Sequence, residues 1–101
     1  VVLVLKGIPS LVALPNGTIY INMAGNSGMG TGGMGDVLTG MIAAFVAQGY
    51  EVNEAALIGT FLHSYTADRL GTKKLWGYTP SDVSVRVGSV ISELLSPSLN
   101  V

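Results

Sequence analysis

The sequence predicts an α/β protein whose strands precede its helices. Three observations carry this prediction: a continuous apolar run at residues 1–5, two strand-like segments around an Asn-Gly turn at residues 16–17, and later apolar residues at helical spacing. The length of 101 residues is enough for one compact core and too short for two domains. We therefore expect residues 1–101 to form one domain or part of one.

Composition and charge argue against several classes of protein. The chain is 49% hydrophobic, but its apolar runs end before the roughly 18–20 residues that a membrane span requires. Its five Lys and Arg residues are scattered along the sequence. With six Asp and Glu residues, they give a net charge of −1. The absence of cysteine excludes disulfides and thiolate metal sites, and it fits a cytoplasmic protein. We expect no membrane and no nucleic acid as partner.

The first segments predict strands. Residues 1–5 read Val-Val-Leu-Val-Leu, as expected of a strand buried on both faces in a parallel sheet. Residues 11–14 and 18–22 predict a β-hairpin in which Asn16-Gly17 supplies positive φ. The sequence opens on an apolar strand without an initiator Met or a signal peptide. We therefore expect a missing N-terminal half, without which the chain is inactive.

Three helices are predicted from apolar spacing and from capping residues. Gly49 is expected to cap the first helix at its C-terminus. Asn53 is expected to cap the second helix at its N-terminus, and Gly71 to stop it. Thr79 and Asp82 are expected to form a capping box for the third. The predicted spans are residues 36–48, about 53–70 and about 80–95, followed by a frayed tail at residues 96–101.

A glycine-rich run, Gly-Met-Gly-Thr-Gly-Gly-Met-Gly at residues 28–35, leads directly into the first predicted helix. Successive glycines let several N–H groups point to one spot, and a helix N-terminus adds unpaired N–H groups and a positive dipole end. Such a place binds phosphate. The alternative is a connector that needs glycine only for tight packing. The sequence leaves both open, although Asp36 favours the first.

Asp36 follows the run immediately, in the first turn of the predicted helix. Its simplest role is a favourable contact with the helix dipole, worth about 0.3–1 kcal/mol. The alternative role is catalytic. A hydroxyl held between a cradled phosphate and Asp36 could lose its proton to the carboxylate while it attacks the phosphorus.

Two better-known nucleotide motifs do not fit. Gly28-x-Gly30-x-x-Gly33 matches the dinucleotide fingerprint, but it follows a hairpin instead of the first strand of a βαβ unit. A Walker A loop ends in Gly-Lys followed by Ser or Thr, whereas Gly35 is followed by Asp36.

Residues 25–40, Gly-Asn-Ser-Gly-Met-Gly-Thr-Gly-Gly-Met-Gly-Asp-Val-Leu-Thr-Gly, closely resemble the signature of the ADP- or ATP-dependent NAD(P)H-hydrate dehydratases. Ser27 and Gly30 stand where that family usually has Pro and Ala. The resemblance covers about residues 1–95 and implies a ribokinase-like, three-layer α/β/α fold. The chain would be its C-terminal part, containing a strand, a β-hairpin, the glycine-rich loop and three helices.

The resemblance also implies a reaction in nicotinamide cofactor repair. ADP or ATP phosphorylates the hydroxyl of hydrated NADH or NADPH, and loss of phosphate regenerates the cofactor, so the enzyme is a lyase. Asp36 would contact the hydrate and act as the base. The implied anion hole is Gly33, Met34 and Gly35, and the implied nucleotide-binding residues are Lys6, Gly7, Ile8, Pro9, Ser10 and Gly35. Ile8-Pro9 departs from the family's usual Lys-Gly-Ala-Gly-Thr, and Pro9 removes one backbone N–H.

The remaining expectations concern metals, aromatic residues and partners. No protein-built metal site is predicted, so Mg²⁺ would be held mainly by phosphates and water. His63 lacks a second ligand at metal spacing, and we expect it to be packed instead of catalytic. Trp76 and Tyr78 are expected to anchor a loop. The expected partners are a nucleotide, an NAD(P)H hydrate, the missing half of the domain and further copies in a homo-oligomer.

Two alternatives stay open beside the dehydratase. One is a ribokinase-like kinase of a sugar, thiazole or pyrimidine precursor, since the Gly-x-Gly-Asp loop is shared across that superfamily. The other is a non-catalytic fragment that serves folding or assembly. The Gly25-Asn26 pair before Gly-Met-Gly-Asp favours the dehydratase. Whether the native gene encodes an upstream half separates an enzyme from a fragment.

Overall fold

A computed structural model describes residues 1–7, 9–26, 29, 32–71 and 78–95. Three strands precede three helices in these residues, as the sequence predicts. The strands are β1 (Leu3–Leu5), β2 (Ser10–Ala13) and β3 (Ile19–Asn22), and the helices are α1 (Met34–Ala47), α2 (Val52–Gly71) and α3 (Pro80–Leu95). None of these helices is long and apolar enough to cross a membrane. The predictions for Trp76 and for the tail at residues 96–101 lie outside the described residues.

The strands form one sheet in the order β1-β2-β3, and both neighbouring pairs are antiparallel. The predicted hairpin is confirmed as β2 and β3. The strand expected to be parallel, β1, is antiparallel to its one neighbour among the described strands. The reason is the short connection, because a parallel pair needs a crossover of a dozen or more residues. Ser10 Oγ closes this connection by donating to the Gly7 carbonyl at 2.8 Å.

Gly17 makes the turn of the hairpin, with φ 89°. Glycine adopts this angle without steric cost. The Gly17 N–H donates to the Leu14 carbonyl at 3.0 Å, and the Leu14 N–H donates to the Thr18 carbonyl at 2.9 Å. Asn16 Oδ1 accepts from the Thr18 N–H at 2.9 Å. The predicted positive φ therefore falls on Gly17, while Asn16 supplies a side-chain turn contact.

The two faces of the sheet differ in burial. One face packs on α2, where Val12 is 1% exposed and Asn22 Nδ2 donates to Ser64 Oγ at 2.8 Å. The opposite face is apolar and open, so β1 is not buried on both faces as predicted. Its exposed side chains, between 51% and 61% accessible, are Leu3, Leu5, Ile19 and Ile21. The strand register places these four on one side of the sheet.

α1 begins at Met34, two residues before the predicted start. Gly33 is its N-cap residue, with φ 99°. At the other end Gly49 has φ 102°, which confirms it as the C-terminal cap. The Gly49 N–H donates to the Val46 carbonyl at 3.0 Å and the Tyr50 N–H to the Phe45 carbonyl at 3.2 Å. These two bonds are a Schellman motif.

The capping residue predicted for α2 is wrong. The helix begins at Val52, so Asn53 already lies within its first turn. Glu51 precedes the helix, and its carbonyl accepts from the Ala55 N–H at 2.8 Å. Glu54 Oε1 reaches back to the Glu51 N–H at 3.3 Å, as the third residue of a capping box does. The residue in the N-cap position is therefore Glu51, and the Glu54 carboxylate accepts from its backbone N–H.

The capping box predicted for α3 is confirmed. The Thr79 N–H donates to Asp82 Oδ2 at 2.7 Å, and the Asp82 N–H donates to Thr79 Oγ1 at 3.1 Å. Tyr78, directly before this cap, is 2% exposed and anchors the segment as expected. Its core cluster is Met34, Ala67, Tyr78 and Val83. This cluster joins the start of α1 to the last turns of α2 and the start of α3.

Candidate functional site

A cleft of about 470 Å³ lies where the end of β1, the start of α1 and the middle of α2 meet. Three segments supply most of its wall. They are Lys6 and Gly7 of the β1–β2 connection with Ser10 at the start of β2, residues 32–35 before and within α1, and Thr60, His63 and Ser64 from α2. Asn26, Met29 and Leu38 complete the lining.

The start of α1 presents backbone donors to this cleft. Positive φ at Gly33 turns the chain into the helix, and the Val37 N–H makes the first helical bond, to the Gly33 carbonyl at 3.2 Å. The N–H groups of Met34, Gly35 and Asp36 precede that bond and have no helical acceptor. The implied anion-hole residues, Gly33, Met34 and Gly35, all line the cleft. The positive end of the helix dipole lies there as well.

Lys6 brings a full positive charge to the same place. A Cβ built on Gly35 would lie 2.5 Å from Lys6 Nζ, so the ammonium occupies the space that a side chain at position 35 would take. Two positive features thus meet at one wall of the cleft. An anion bound there would interact favourably with both.

The rest of the implied nucleotide segment divides into two groups. Gly7 and Ser10 line the cleft beside Lys6, and Ser10 is 8% exposed. Pro9 is exposed and does not belong to the lining of the cleft. Ile8 lies outside the described residues. The structure therefore brings together three of the five predicted residues of this segment.

His63 is part of the cleft, which the sequence interpretation missed. It is 4% exposed, and its ring is hydrogen-bonded to the backbone of Met34. Burial lowers the pKa of His63, the charge of Lys6 lowers it further, and the bond to Met34 partly offsets both. Its Nε2 is buried without a hydrogen-bond partner among the described residues. His63 therefore braces the first residue of α1 from the opposite wall.

A sequence signal for this wall exists. Thr60, His63 and Ser64 are spaced i, i+3 and i+4, so they share one face of an α-helix. All three are buried, at 2%, 4% and 2% exposure. Buried polar side chains that share a face of a helix are uncommon unless they have polar partners. Such a stripe, next to a predicted phosphate loop, indicates the second wall of the site.

Asp36 lies on a different side of the same helical turn. It is exposed and lines a shallow depression instead of the main cleft. The other residues of that depression are Val37, Gly40, Met41, Ala44 and Ser84. The backbone donors at the start of α1 and the Lys6 side chain therefore line the main cleft, whereas the Asp36 carboxylate lines the shallow depression. A group that reacts at Asp36 would approach from the open side.

Comparison with known proteins identifies the family. Residues 1–87 match the family model described as NAD(P)H-hydrate dehydratase. The chain is 52% identical over 65 residues to the ADP-dependent (S)-NAD(P)H-hydrate dehydratase of Neisseria meningitidis, covering 64% of this chain and 22% of that protein. It is 36% identical over 97 residues to the protein of the same name from Xanthomonas campestris, covering 92% of this chain and 32% of that protein.

Solved structures agree with the sequence matches. The crystal structure of the ADP/ATP-dependent NAD(P)H-hydrate dehydratase from Bacillus subtilis, co-crystallised with ATP and Mg²⁺, aligns with a TM-score of 0.84 at 31% identity, covering 91% of this chain and 34% of that one. A hypothetical protein from Streptococcus mutans aligns with a TM-score of 0.81 at 38% identity, covering 91% of this chain and 33% of that one. These alignments confirm the predicted ribokinase-like α/β fold.

The chain spans a limited part of the proteins that it matches. It covers 14% of the bifunctional NAD(P)H-hydrate repair enzyme Nnr of Moorella thermoacetica, with which it shares 45% identity over 73 residues. The matched residues include the whole of the cleft and Asp36. By its family model, its identity to curated relatives and its fold, this chain belongs to the NAD(P)H-hydrate dehydratase family.

Proposed function

We propose that the protein containing this chain dehydrates hydrated NADH or NADPH, with ADP or ATP as phosphoryl donor, in the repair of damaged nicotinamide cofactors. The observation that carries this proposal is the close approach of the Lys6 ammonium to the backbone of Gly35 at the start of α1. That arrangement suits a nucleotide phosphate. The names of the relatives from Neisseria meningitidis and Xanthomonas campestris supply the reaction.

The cleft is where we place the nucleotide phosphates. Its volume of about 470 Å³ lies within the range of roughly 300–1,000 Å³ typical of small-molecule sites. The Met34 and Gly35 amides would hold the phosphoryl group, and Lys6 would neutralise its charge. These donors also stabilise the charge that spreads over the phosphoryl oxygens during transfer.

Asp36 is the residue to which we assign the base. The hydroxyl of the hydrated nicotinamide attacks the terminal phosphorus of the donor, and its proton passes to the Asp36 carboxylate. The bond between that phosphorus and the nucleotide's bridging oxygen breaks, so the donor leaves one phosphate shorter. Loss of the phosphate and of a neighbouring ring proton then restores the double bond. Because the hydroxyl must reach both the phosphorus and the carboxylate, we place the hydrate at the rim between the cleft and the depression that Asp36 lines.

Magnesium would be bound through the phosphates. Lys6 and the amides at the start of α1 are donors and cannot ligate a cation, and the described residues contain no group of three or more His, Asp or Glu side chains that could. When present, Mg²⁺ neutralises phosphate charge. This chain's own residues would orient the phosphates that hold it.

The open apolar face of the sheet is where we place the rest of the domain. Leu3, Leu5, Ile19 and Ile21 form an exposed apolar surface, and surfaces of this kind mark packing sites. The remaining contacts to the hydrate would come from that part of the protein. Association into a homo-oligomer and a cytoplasmic location complete the proposal, together with the assignment of residues 1–101 to one domain.

The test uses the complete gene product that contains these residues. It is incubated with hydrated NADH and either ADP or ATP, while NADH absorbance and released phosphate are followed together. The proposal expects NADH and phosphate to appear in equal amounts and only when nucleotide is present. Nucleotide consumption with a sugar, thiazole or pyrimidine alcohol and none with the hydrate would support a kinase instead. The absence of turnover with every acceptor would support a non-catalytic role.

A further inference from the structure

The chain leaves β3 through two residues that α2 holds in place. The Gly25 N–H donates to Asp68 Oδ2 at 2.9 Å, and Asn26 Nδ2 donates to Asp68 Oδ1 at 3.0 Å. The Tyr78 hydroxyl donates to Asn26 Oδ1 at 2.6 Å. Three directional bonds therefore fix the entrance to the glycine-rich segment. We call Asn26, Asp68 and Tyr78 the clasp.

The exit of the segment is held by the same parts of the molecule. Met34, the first residue of α1, packs in one core cluster with Ala67 and Tyr78. Ala67 is next to Asp68 in the sequence, and Tyr78 belongs to the clasp. Gly33 lies against the start of α3, since a Cβ built on it would be 3.2 Å from Pro80 Cγ. The last turns of α2, together with Tyr78 and Pro80, thus fix both ends.

The chemistry of the clasp suits precise positioning. Hydrogen bonds to an ionised carboxylate are roughly twice as strong as neutral ones. Burial raises the pKa of Tyr78, and the negative charge of Asp68 raises it further, while the hydrogen bond to Asn26 lowers it by less. The Tyr78 hydroxyl therefore stays protonated and can donate. A Cβ built on Gly71 would lie 2.9 Å from Asn26 Nδ2, which shows how closely α2 approaches Asn26. Asn26 itself lines the cleft, while Asp68 and Tyr78 do not.

We propose that Asp68 and Tyr78 are positioning residues of the phosphate site. Through Asn26 and the two ends of the glycine-rich segment, they orient the Met34 and Gly35 amides towards the phosphate. This inference rests on the proposed function. A glycine-rich chain loses much conformational entropy on ordering. If the clasp fixes the ends before ligand arrives, binding does not bear that cost.

The first measurement is the Kd for ADP of the complete gene product, by calorimetry, well below its Tm. Asp68→Asn replaces one carboxylate oxygen by an amide group, so the Gly25 N–H and Asn26 Nδ2 no longer each have an acceptor. Tyr78→Phe removes the hydrogen bond to Asn26 Oδ1 and keeps the buried ring. Each should raise the Kd about tenfold, the effect expected of losing a hydrogen bond to a charged group. Tyr50→Phe, on an exposed ring at the C-terminal end of α1, is the matched control and should leave the Kd unchanged.

An exchange of the two side chains tests the clasp as a unit. Asp68→Asn combined with Asn26→Asp moves the carboxylate to the other partner, and all three hydrogen bonds can still form. Asn26 lines the cleft, so a carboxylate at position 26 also repels phosphate, and the matched comparison is Asn26→Asp, which carries the same charge there. The double variant should bind ADP more tightly than Asn26→Asp does, and a Kd no lower than that of Asn26→Asp would overturn the proposal. So would single variants that lower the Tm and leave the Kd at the wild-type value, because that is the behaviour of a purely structural contact.

A measurement without nucleotide separates this inference from the proposed function. Backbone ¹⁵N order parameters of Gly32 and Gly33 should fall in Asp68→Asn, while those of α3 should not. If wild-type protein does not bind ADP, the proposed function fails. The order parameters still test whether the clasp holds Gly32 and Gly33 in place. Unchanged order parameters at Gly32 and Gly33 would overturn the inference whether or not ADP binds.

Discussion

The Lys6 ammonium lies against the backbone of Gly35, so closely that a Cβ at position 35 would be 2.5 Å from Nζ. A cation at a helix N-terminus faces the positive end of the dipole, which is unfavourable in isolation. The same geometry becomes favourable once a phosphate interacts with both groups. The lack of a side chain at Gly35 is therefore the condition that lets the charge of Lys6 and the amides of α1 act on one ligand.

Gly35→Ala should separate binding from stability. The added methyl group displaces the Lys6 ammonium, so affinity for ADP should fall about tenfold or more. Stability should hold or rise by up to about 1 kcal/mol, because alanine is the better helix former. Calorimetry with ADP and thermal melts check the two effects. Gly88→Ala is the control, since a Cβ there meets nothing within 4 Å. Equal ADP affinity in Gly35→Ala and wild type would move the phosphate elsewhere.

Lys6→Gln removes the charge but keeps much of the side chain. We expect a loss of about ten- to a hundredfold in ADP affinity, the value of one hydrogen bond between charged groups. The salt dependence of binding should weaken as well, because one ion pair is lost. Lys6→Arg keeps the charge and should retain part of the affinity. Titrations at two salt concentrations measure both effects, and an unchanged affinity in Lys6→Gln would remove Lys6 from the site.

His63 should make the stability of the protein depend on pH. Its pKa is lowered from 6.5 by burial and by Lys6. Between the lowered value and 6.5 the unfolded state binds more protons than the folded state, so stability rises with pH there. The contribution of neutral His63 to the free energy of unfolding is complete above pH 6.5, and it is lost as the pH falls through the lowered pKa of His63. Urea unfolding at several pH values should show this slope in wild type and a flatter one in His63→Gln. Equal slopes would contradict the assignment.

Thr79→Ala should destabilise α3 without touching the cleft. It removes the acceptor of the Asp82 N–H and leaves a helix start without its cap, which costs about 0.5–2 kcal/mol. Thermal melts should show the loss, and Ser81→Ala, one residue inside the helix, should show less. ADP affinity should be the same in both variants. A melt of Thr79→Ala identical to wild type would mean that the capping bond contributes nothing to stability.

Local sequence determined the features that depend on one or two residues. The Asn16-Gly17 turn, the Gly49 cap and the Thr79–Asp82 box all form, because each needs only particular residues at fixed spacing. The start of α1 was harder to predict. Met34 is drawn into the core cluster, and positive φ at Gly33 lets the helix begin two residues before the position that the local pattern indicates.

The functional site required tertiary information. The phosphate loop could be predicted from its glycines, and the polar stripe of Thr60, His63 and Ser64 on α2 is a local signal of a second wall. Only the packing of α2 against α1 shows that the loop and the stripe line one cleft. His63 therefore appeared to be an ordinary buried residue. The direction of Asp36 was equally hidden, since it depends on the rotation of α1 about its axis. The clasp joins residues 42 and 52 positions apart along the chain, so only the fold brings them together.

The most direct test of the central claim is to measure kcat for the hydrate and Kd for ADP together in Asp36→Asn of the complete gene product. Asparagine keeps the size of the side chain and removes its basicity. We predict that kcat falls by about 10²–10⁴, the loss typical of a positioned base, while the Kd for ADP holds or decreases slightly. Glu54→Gln, at another first-turn acid, should change neither. Near-normal turnover in Asp36→Asn would contradict the account, as would a loss of ADP binding in proportion to the loss of rate.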